Sequence, residues 1–154
     1  NSNYIYLARF RENAGKYRNV NVIISGAEHN PPSFLDVPKD MESFVSWCNS
    51  EAEKMHPVER AAMIHSEFVK IHPFIDGNDR TARLLKNLEL MKYGFPAAVL
   101  KVEDRLAYYE TLDKAHTKSE YEDFLKLMGK AVKEAFEKYF FVLGIDNPKI
   151  GDEK

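Results

Sequence analysis

Several features that mark secreted, membrane-bound and nucleic-acid-binding proteins are scarce in this sequence. The chain has one cysteine, Cys48, which cannot form an internal disulfide and which fits a reducing, cytoplasmic compartment. It has no apolar run near the ~20 residues of a membrane span and no visible signal peptide, so we expect no membrane contact. Its 22 basic and 24 acidic residues are interspersed and nearly cancel, which argues against general binding to nucleic acid.

The composition favours one globular domain. Of the 154 residues, 44% are hydrophobic and 30% are charged, which is enough to bury one core without a second. We expect a single domain over residues 1–145 and a frayed tail over residues 146–154. The first residue is not methionine, and the sequence leaves open whether residues precede Asn1 in the native protein. No pattern in the sequence sets an oligomeric state.

Apolar residues recur at helical spacing along most of the chain. The five predicted helices begin near Asp36, at Pro57, after Asp79, at Tyr108 and at Tyr121. Proline sets two of the boundaries, because Pro57 suits a first helical turn and Pro73 disfavours the helical conformation in the residue before it.

Residues 20–32 interrupt the helical pattern. Val20, Val22 and Ile24 alternate along this segment and are followed by Ser25-Gly26, which is typical of a short β-hairpin. Two prolines close the segment. The predicted fold class is therefore all-α, a helical bundle with one short β-hairpin.

Residues 72–83, with the sequence HPFIDGNDRTAR, combine a base, acids, a glycine and two arginines in a loop that leads into a helix. The first turn of a helix has free N–H groups and the positive end of the helix dipole, and both favour an anion. Gly77 lets the backbone approach a ligand closely. Arg80 and Arg83 lie three residues apart, so both guanidinium groups can reach one polyphosphate. The pattern predicts a phosphate-binding site.

Two further side chains of this loop suit the chemistry of phosphate transfer. Asp76 can hold Mg2+, which proteins usually bind through one or two carboxylates and substrate phosphate oxygens. His72 can accept a proton near neutral pH. Taken alone, His72 would more simply be a helix C-terminal residue interacting with the dipole, but its neighbours favour catalysis. His65 lies in an apolar stripe, which favours a hydrogen-bonded core histidine.

The loop resembles the motif of the Fic family, His-Pro-Phe-x-(Asp/Glu)-Gly-Asn-Gly-Arg-x-x-Arg. It matches every fixed position except Asp79, which stands in place of the second glycine. Other similar stretches are the flap-like residues 17–26 with Pro31-Pro32, the pattern Ala62-x-x-His65-x-x-Phe68, residues 87–96, and the pattern Tyr108-Tyr109-x-x-Leu112-x-x-Ala115. The resemblance covers roughly residues 17–128 and implies a compact Fic-type helical bundle with a flap.

The resemblance also implies a protein AMP transferase. His72 would deprotonate a Ser, Thr or Tyr hydroxyl of a target protein, which attacks the α-phosphate of ATP and releases pyrophosphate. Asp76 would hold Mg2+, Arg83 would engage the terminal phosphate, and Phe74 would anchor the loop. The implied nucleotide-binding residues are Gly77, Asn78, Asp79, Arg80, Arg83, Tyr108, Tyr109 and His116. The target protein is expected to dock on the flap by β-augmentation, through Val22, Ile23 and Ile24.

Two positions depart from the family pattern. Many relatives have an asparagine that reads the adenine edge where this chain has His116, which leaves the base preference open. Asp79 places a carboxylate in the phosphate site, which repels a polyphosphate, although an aspartate is also a good N-cap and could share the metal with Asp76. In the related Doc proteins the same position is a lysine, and the transferred group is phosphate. A Doc-type phosphotransferase and a catalytically weakened binding module are therefore alternatives.

A further alternative follows from the residue types alone. His65, His72, Asp76 and Asp79 are possible ligands of a helical metal-dependent hydrolase. The nearby arginines disfavour this interpretation, because they would repel a cation.

Many Fic proteins are restrained by a helix with the pattern Ser/Thr-x-x-x-Glu-Gly/Asn, whose glutamate pairs with the second motif arginine. No Ser or Thr of this chain is followed four residues later by Glu. We therefore expect an inhibitory helix upstream of Asn1, one on a separate chain, or none. We also expect that nothing within these residues neutralises Arg83.

Overall fold

Five α-helices account for most of the structure. In the computed structural model, which describes residue 13 and residues 15–145, they are α1 (Val37–Cys48), α2 (Pro57–Ile71), α3 (Asn78–Lys92), α4 (Arg105–Lys118) and α5 (Glu122–Leu143). Short 3-10 turns lie at Glu51–Lys54 and Val102–Asp104. Each predicted helix is present and begins within one turn of its predicted start, so the all-α class is confirmed for the described residues.

Local sequence defines both ends of α2, the helix that leads to the predicted site. Pro57 is its first residue, where the N–H that proline lacks is not needed. His56 Nδ1 accepts the N–H of Val58 at 3.3 Å. The helix ends at Ile71, because Pro73 disfavours the helical conformation in the preceding residue.

Helix α2 lies at the centre of the bundle and packs against α1, α3, α4 and α5. Apolar residues at helical spacing supply the buried faces, as the sequence pattern predicts. The core includes Val37, Met41 and Phe44 of α1, Ile64 and Phe68 of α2, Leu112 of α4, and Phe124 and Met128 of α5.

A buried ion pair joins α2 to α3. Arg60 Nε donates to Glu89 Oε2 at 2.8 Å, and the two side chains are only 7% and 9% exposed. Lys92 of α3 bonds the other carboxylate oxygen of Glu89. Because both charges of the Arg60–Glu89 pair are removed from water, each depends on its partner.

The β-hairpin predicted over residues 20–32 is not formed. Residues 20–32, all of which the structure describes, contain no strand and no helix. Only the turn at its tip is present, where the N–H of Ala27 donates to the Ile24 carbonyl at 3.2 Å.

Side chains from elsewhere in the chain hold residues 20–32, here called the flap segment, and explain the missing strands. Asp113 of α4 accepts the N–H groups of Glu28 and His29 at 2.9–3.1 Å. Arg18 donates to carbonyl groups at both ends of the segment. Backbone groups bonded in this way need no partner strand, and an isolated two-stranded hairpin is only marginally stable.

The predicted tail, residues 146–154, lies outside the described residues, as do residues 1–12 and 14. Among the five helices described above, none combines the length and hydropathy that crossing a bilayer requires.

We expect Glu89→Ala to lower the free energy of unfolding by about 3 kcal/mol, because it leaves the Arg60 guanidinium buried without its carboxylate. Chemical denaturation at pH 7 measures this change. The matched control is Glu122→Ala, which removes the Glu122–Lys126 pair from the exposed face of α5 and should change stability little. A loss for Glu89→Ala as small as that of the control would contradict the prediction.

Candidate active site

His72 begins the loop that joins α2 to α3. Its φ of 52° lies in the left-handed region, which residues other than glycine rarely adopt. This backbone conformation turns the chain out of the helix. Its N–H donates to the Phe68 carbonyl at 3.1 Å and closes α2. Its ring is half-buried, and Nδ1 is buried with no hydrogen bond of ordinary geometry within the described chain.

A buried arginine that sequence reasoning missed holds His72 in place. Arg18 is 2% exposed, and its Nε donates to the His72 carbonyl at 2.9 Å. Its backbone N–H donates to the Pro73 carbonyl at 2.8 Å. The bond to His72 spans 54 residues of sequence and uses a main-chain acceptor, so no local motif could have indicated it.

The pKa of His72 is lowered from its ordinary value. Burial is the main cause, since it disfavours the charged imidazolium, and the positive charge of Arg18 acts in the same direction. The Val69 carbonyl and the Asp79 carboxylate oppose the shift. The neutral imidazole is therefore favoured at pH 7, and this is the form that accepts a proton.

Asn78, the first residue of α3, braces the loop from within. Its Oδ1 accepts the N–H of Phe74 at 2.8 Å, and its Nδ2 donates to the carbonyl of the same residue at 2.8 Å. The Phe74 ring packs against Phe68 and Tyr17 at centroid distances of 6.0 and 6.1 Å. Asn78 is 3% exposed, so its amide shapes the loop in this structure, and a direct contact with nucleotide stays a prediction.

The turn at Gly77 sets the direction of α3. Its φ of 85° is readily available only to glycine, and α3 begins at the next residue. In the first turn of the helix, Arg80 Nη2 donates to Asp76 Oδ2 at 2.8 Å. These two side chains are 77% and 46% exposed, so the pair is weakly held and open to a ligand.

Asp79 is tied to two partners at once. Its Oδ1 accepts the Tyr108 hydroxyl at 2.6 Å, and its Oδ2 lies 2.7 Å from Arg83 Nη2. Tyr108 is 2% exposed, and burial together with the Asp79 charge raises its pKa, which keeps the hydroxyl protonated as a donor. The expectation that nothing in the chain neutralises Arg83 is therefore wrong. The neutralising group is an aspartate of the motif itself, four residues earlier on α3, a spacing that brings helical side chains together.

His65 completes this network and has a structural place. Its Nε2 lies 2.9 Å from the Tyr108 hydroxyl oxygen, and its ring is fully buried against Phe124. Because the tyrosine proton goes to Asp79, His65 Nε2 must be the donor. Burial lowers the pKa of His65 to about 4, so the ring is neutral. The described residues contain no group of three His, Cys, Asp or Glu side chains that could hold a metal.

The two adjacent tyrosines of α4 occupy different environments. Tyr108 is buried, whereas Tyr109 is 44% exposed and presents its ring to solvent. The Arg105 guanidinium carbon lies 5.7 Å from the centroid of the Tyr109 ring, within range of a cation–π interaction. Of the predicted adenine-pocket pair, only Tyr109 has an exposed ring face that could stack on a base. Sequence reasoning did not single out Arg105, although its spacing of four residues from Tyr109 was a signal.

His116 lies between α2 and the flap segment. Its Nε2 is 3.0 Å from both the hydroxyl and the carbonyl oxygen of Ser66. Its ring packs edge-on with the ring of His29, and the two ring centroids are 4.9 Å apart. Burial is the main cause that lowers the pKa of His116 to about 4. The structure thus gives His116 a packing role, and its predicted contact with adenine stays a prediction.

The middle of the flap segment faces solvent. Ile23 is 84% exposed, whereas Val22 and Ile24 on either side are half-buried. The Ile23 side chain is therefore accessible to a partner.

Comparisons with known proteins point to one family. The model of the Fic/DOC family matches residues 3–90. The protein adenylyltransferase Fic of Nematostella vectensis is 40% identical over 127 residues, which cover 82% of this chain and 29% of that protein. The protein adenylyltransferase fic-1 of Caenorhabditis elegans is 34% identical over 145 residues, which cover 92% of this chain and 28% of that protein.

Solved structures show the same similarity. The structure of Fic-1 from C. elegans superposes with a TM-score of 0.77 at 32% identity, and the match covers 87% of this chain and 39% of that one. The chain spans less than a third of the length of the curated relatives named above.

We expect His116→Asn to make the stability of the protein less sensitive to acid. In the folded protein the pKa of His116 is about 4, below its ordinary value near 6.5, so the unfolded chain binds the extra proton between these pH values. This contribution to stability is present above about pH 6.5 and is lost as the pH falls towards 4.

Denaturation at pH 7 and pH 5 measures the effect. The unaltered protein should lose about 1–2 kcal/mol more than the variant between these two pH values. Asparagine can still bond Ser66, and His65 and the carboxylates titrate in both proteins. Equal losses in the two proteins would show that His116 titrates as it does in an unfolded chain.

Proposed function

Since this chain belongs to the Fic/DOC family, we propose that residues 1–145 form a single catalytic domain that transfers AMP from ATP to a Ser, Thr or Tyr hydroxyl of a target protein. The observation that carries this proposal is the setting of His72. It is a largely uncharged base, held in a left-handed conformation at the start of a braced loop that leads into a helix with two arginines.

His72 starts the reaction by taking the proton of the target hydroxyl. The hydroxyl oxygen then attacks the α-phosphorus of ATP, the bond between the α-phosphorus and the bridging oxygen to the β-phosphate breaks, and pyrophosphate leaves. Arg18 fixes the main chain at His72, so the imidazole need not reorganise as the proton moves. The first turn of α3, with Gly77 before it and Arg80 on it, supplies donors for the charge that develops on the phosphates.

The donor set at the loop fits Mg2+. Asp76 is a half-exposed carboxylate at the open side of the loop, and Mg2+ commonly takes one or two carboxylates together with phosphate oxygens. Asp76 would hold the ion and exchange its bond to Arg80 for it, which releases that guanidinium to the phosphates. The bound ion would neutralise part of the phosphate charge.

Two exposed surfaces suit the adenine of ATP and the target protein. The Tyr109 ring, with Arg105 over it, offers a face on which adenine can stack. The flap segment, which is exposed at Ile23, offers a place where a strand of the target protein can align by β-augmentation. The two half-buried neighbours, Val22 and Ile24, would border the bound strand.

A second candidate function is supported by the pairing of Asp79 with Arg83. An arginine already paired with a carboxylate binds phosphate less well. The domain would then bind a partner protein through the flap segment and transfer AMP weakly.

We expect His72→Ala to abolish transfer while the fold and most nucleotide binding persist. The protein is incubated with Mg2+ and ATP labelled at the α- or the γ-phosphate, together with lysate proteins, and label on protein is measured. Label from the α-position that His72→Ala eliminates would support the proposal. The matched control is His56→Ala, since His56 is an exposed histidine at the other end of α2.

Other patterns of label separate the alternatives. Label from the γ-position would replace the proposal with Doc-type phosphate transfer. Label with Asp79→Gly but not with the unaltered chain would favour the weakened module. Undiminished α-label with His72→Ala would refute the role of His72 as the base.

A further inference from the structure

We propose that Asp79 is a specificity-determining residue that occupies Arg83 and thereby removes the preference for a triphosphate over shorter nucleotides that a free Arg83 would give. This inference rests on the proposed function and on the contact with the terminal phosphate of ATP that the family resemblance implies for Arg83. It goes further, because it assigns to the residue that departs from the family motif a definite effect on which ligand binds.

The first support is that Asp79 is oriented by a buried donor. Tyr108 donates its hydroxyl to Asp79 Oδ1 at 2.6 Å, and the hydroxyl oxygen is in turn held by His65 at 2.9 Å. The tyrosine and the histidine are 2% and 0% exposed. A donor fixed in the core leaves the carboxylate little freedom to turn away from Arg83.

The second support is a comparison of the two acid–arginine pairs of the loop. Both join residues four apart, at 2.8 Å for Asp76–Arg80 and 2.7 Å for Asp79–Arg83. In the first pair the arginine is 77% exposed and its carboxylate has no buried donor among the described residues, whereas Arg83 is 52% exposed and its carboxylate is bound to Tyr108. Of the two arginines, Arg83 is therefore the one withheld from a ligand.

The third support is the position of Asp79 on α3. It is the second residue of the helix, so its negative charge interacts favourably with the helix dipole as well as with Arg83. A phosphate that approaches Arg83 therefore meets the Asp79 carboxylate, which already interacts with the guanidinium and with the helix dipole. The ligand must either displace this carboxylate or suffer its repulsion, and only a nucleotide long enough to reach Arg83 incurs that cost.

The test compares binding of ATP, ADP and AMP, each with Mg2+, by calorimetry to the unaltered chain and to Asp79→Asn. Asparagine keeps the shape and can still accept the Tyr108 hydroxyl, but it lacks the charge that pairs with Arg83. We expect Asp79→Asn to bind ATP roughly tenfold more tightly, about the effect of one charge-assisted hydrogen bond. Binding of AMP should change by less than about twofold. In the unaltered chain, ATP and ADP should bind with similar affinity.

A second variant tests the orienting donor. Tyr108→Phe removes the hydroxyl and should raise ATP affinity less than Asp79→Asn does, again with little effect on AMP. The matched control is Glu122→Gln, which removes the charge of another i,i+4 acid–base pair, on α5 away from the loop, and should alter no affinity. ATP affinity that is unchanged or lower in Asp79→Asn, or an equal gain for AMP, would overturn the proposal.

Inorganic triphosphate separates this inference from the proposed function, because it needs no adenine pocket and no target. Tighter binding of inorganic triphosphate to Asp79→Asn, without AMP transfer by either protein, would support the inference while the proposed function fails. Equal ATP affinity in both proteins, with α-label transferred to protein, would refute the inference while the proposed function stands.

Discussion

The buried guanidinium of Arg18 is the interaction on which the candidate site depends. It has no carboxylate partner among its described contacts and is satisfied by main-chain carbonyls of His72, Val20, Pro32 and Ile71. Burial lowers its pKa, yet an arginine stays charged, so the cation must keep these acceptors in place. One side chain thereby fixes His72 and the flap segment relative to each other.

A second set of polar contacts joins three helices behind the loop. His65 of α2, Tyr108 of α4 and Asp79 of α3 form one line of hydrogen bonds that ends at Arg83. Buried polar groups are stable when each has a partner, and here that requirement links the packing of the core to the charges of Asp79 and Arg83. The residue that departs from the family motif is thus bonded to a buried tyrosine although its own side chain stays partly exposed.

The sequence predicted the helices well because their boundaries depend on local chemistry. Prolines and apolar spacing placed α2 and α3 within a turn of their observed starts. The flap segment was predicted less well, since the bonds that keep it from pairing as strands come from Asp113, more than eighty residues away along the chain.

At the site, the sequence identified a loop in which base, glycine and arginines come together, but it could not say which groups bond one another. The family resemblance predicts that Tyr108 lines the adenine pocket, whereas the structure buries its ring. Residue type alone does not tell which side of α4 faces the core. The Asp79–Arg83 spacing was visible in the sequence, whereas the buried tyrosine that makes the pair persistent comes from another helix.

The flap segment is attached to the fold through main-chain atoms, so its attachment is separate from the side chains that it presents to a partner. Asp113 accepts main-chain N–H groups near one end and Arg18 donates to main-chain carbonyls at both ends, so neither anchor contacts the side chains between them. The turn around Ser25 can therefore be lengthened at a cost limited mainly to loop-closure entropy, about 0.6 kcal/mol for each doubling of length. Changes at Asn21, Val22 and Ile24 cost more, because Asn21 Oδ1 accepts the Phe34 N–H and the other two side chains are half-buried. New recognition residues can be inserted at this turn without altering the Arg18 contact that holds His72.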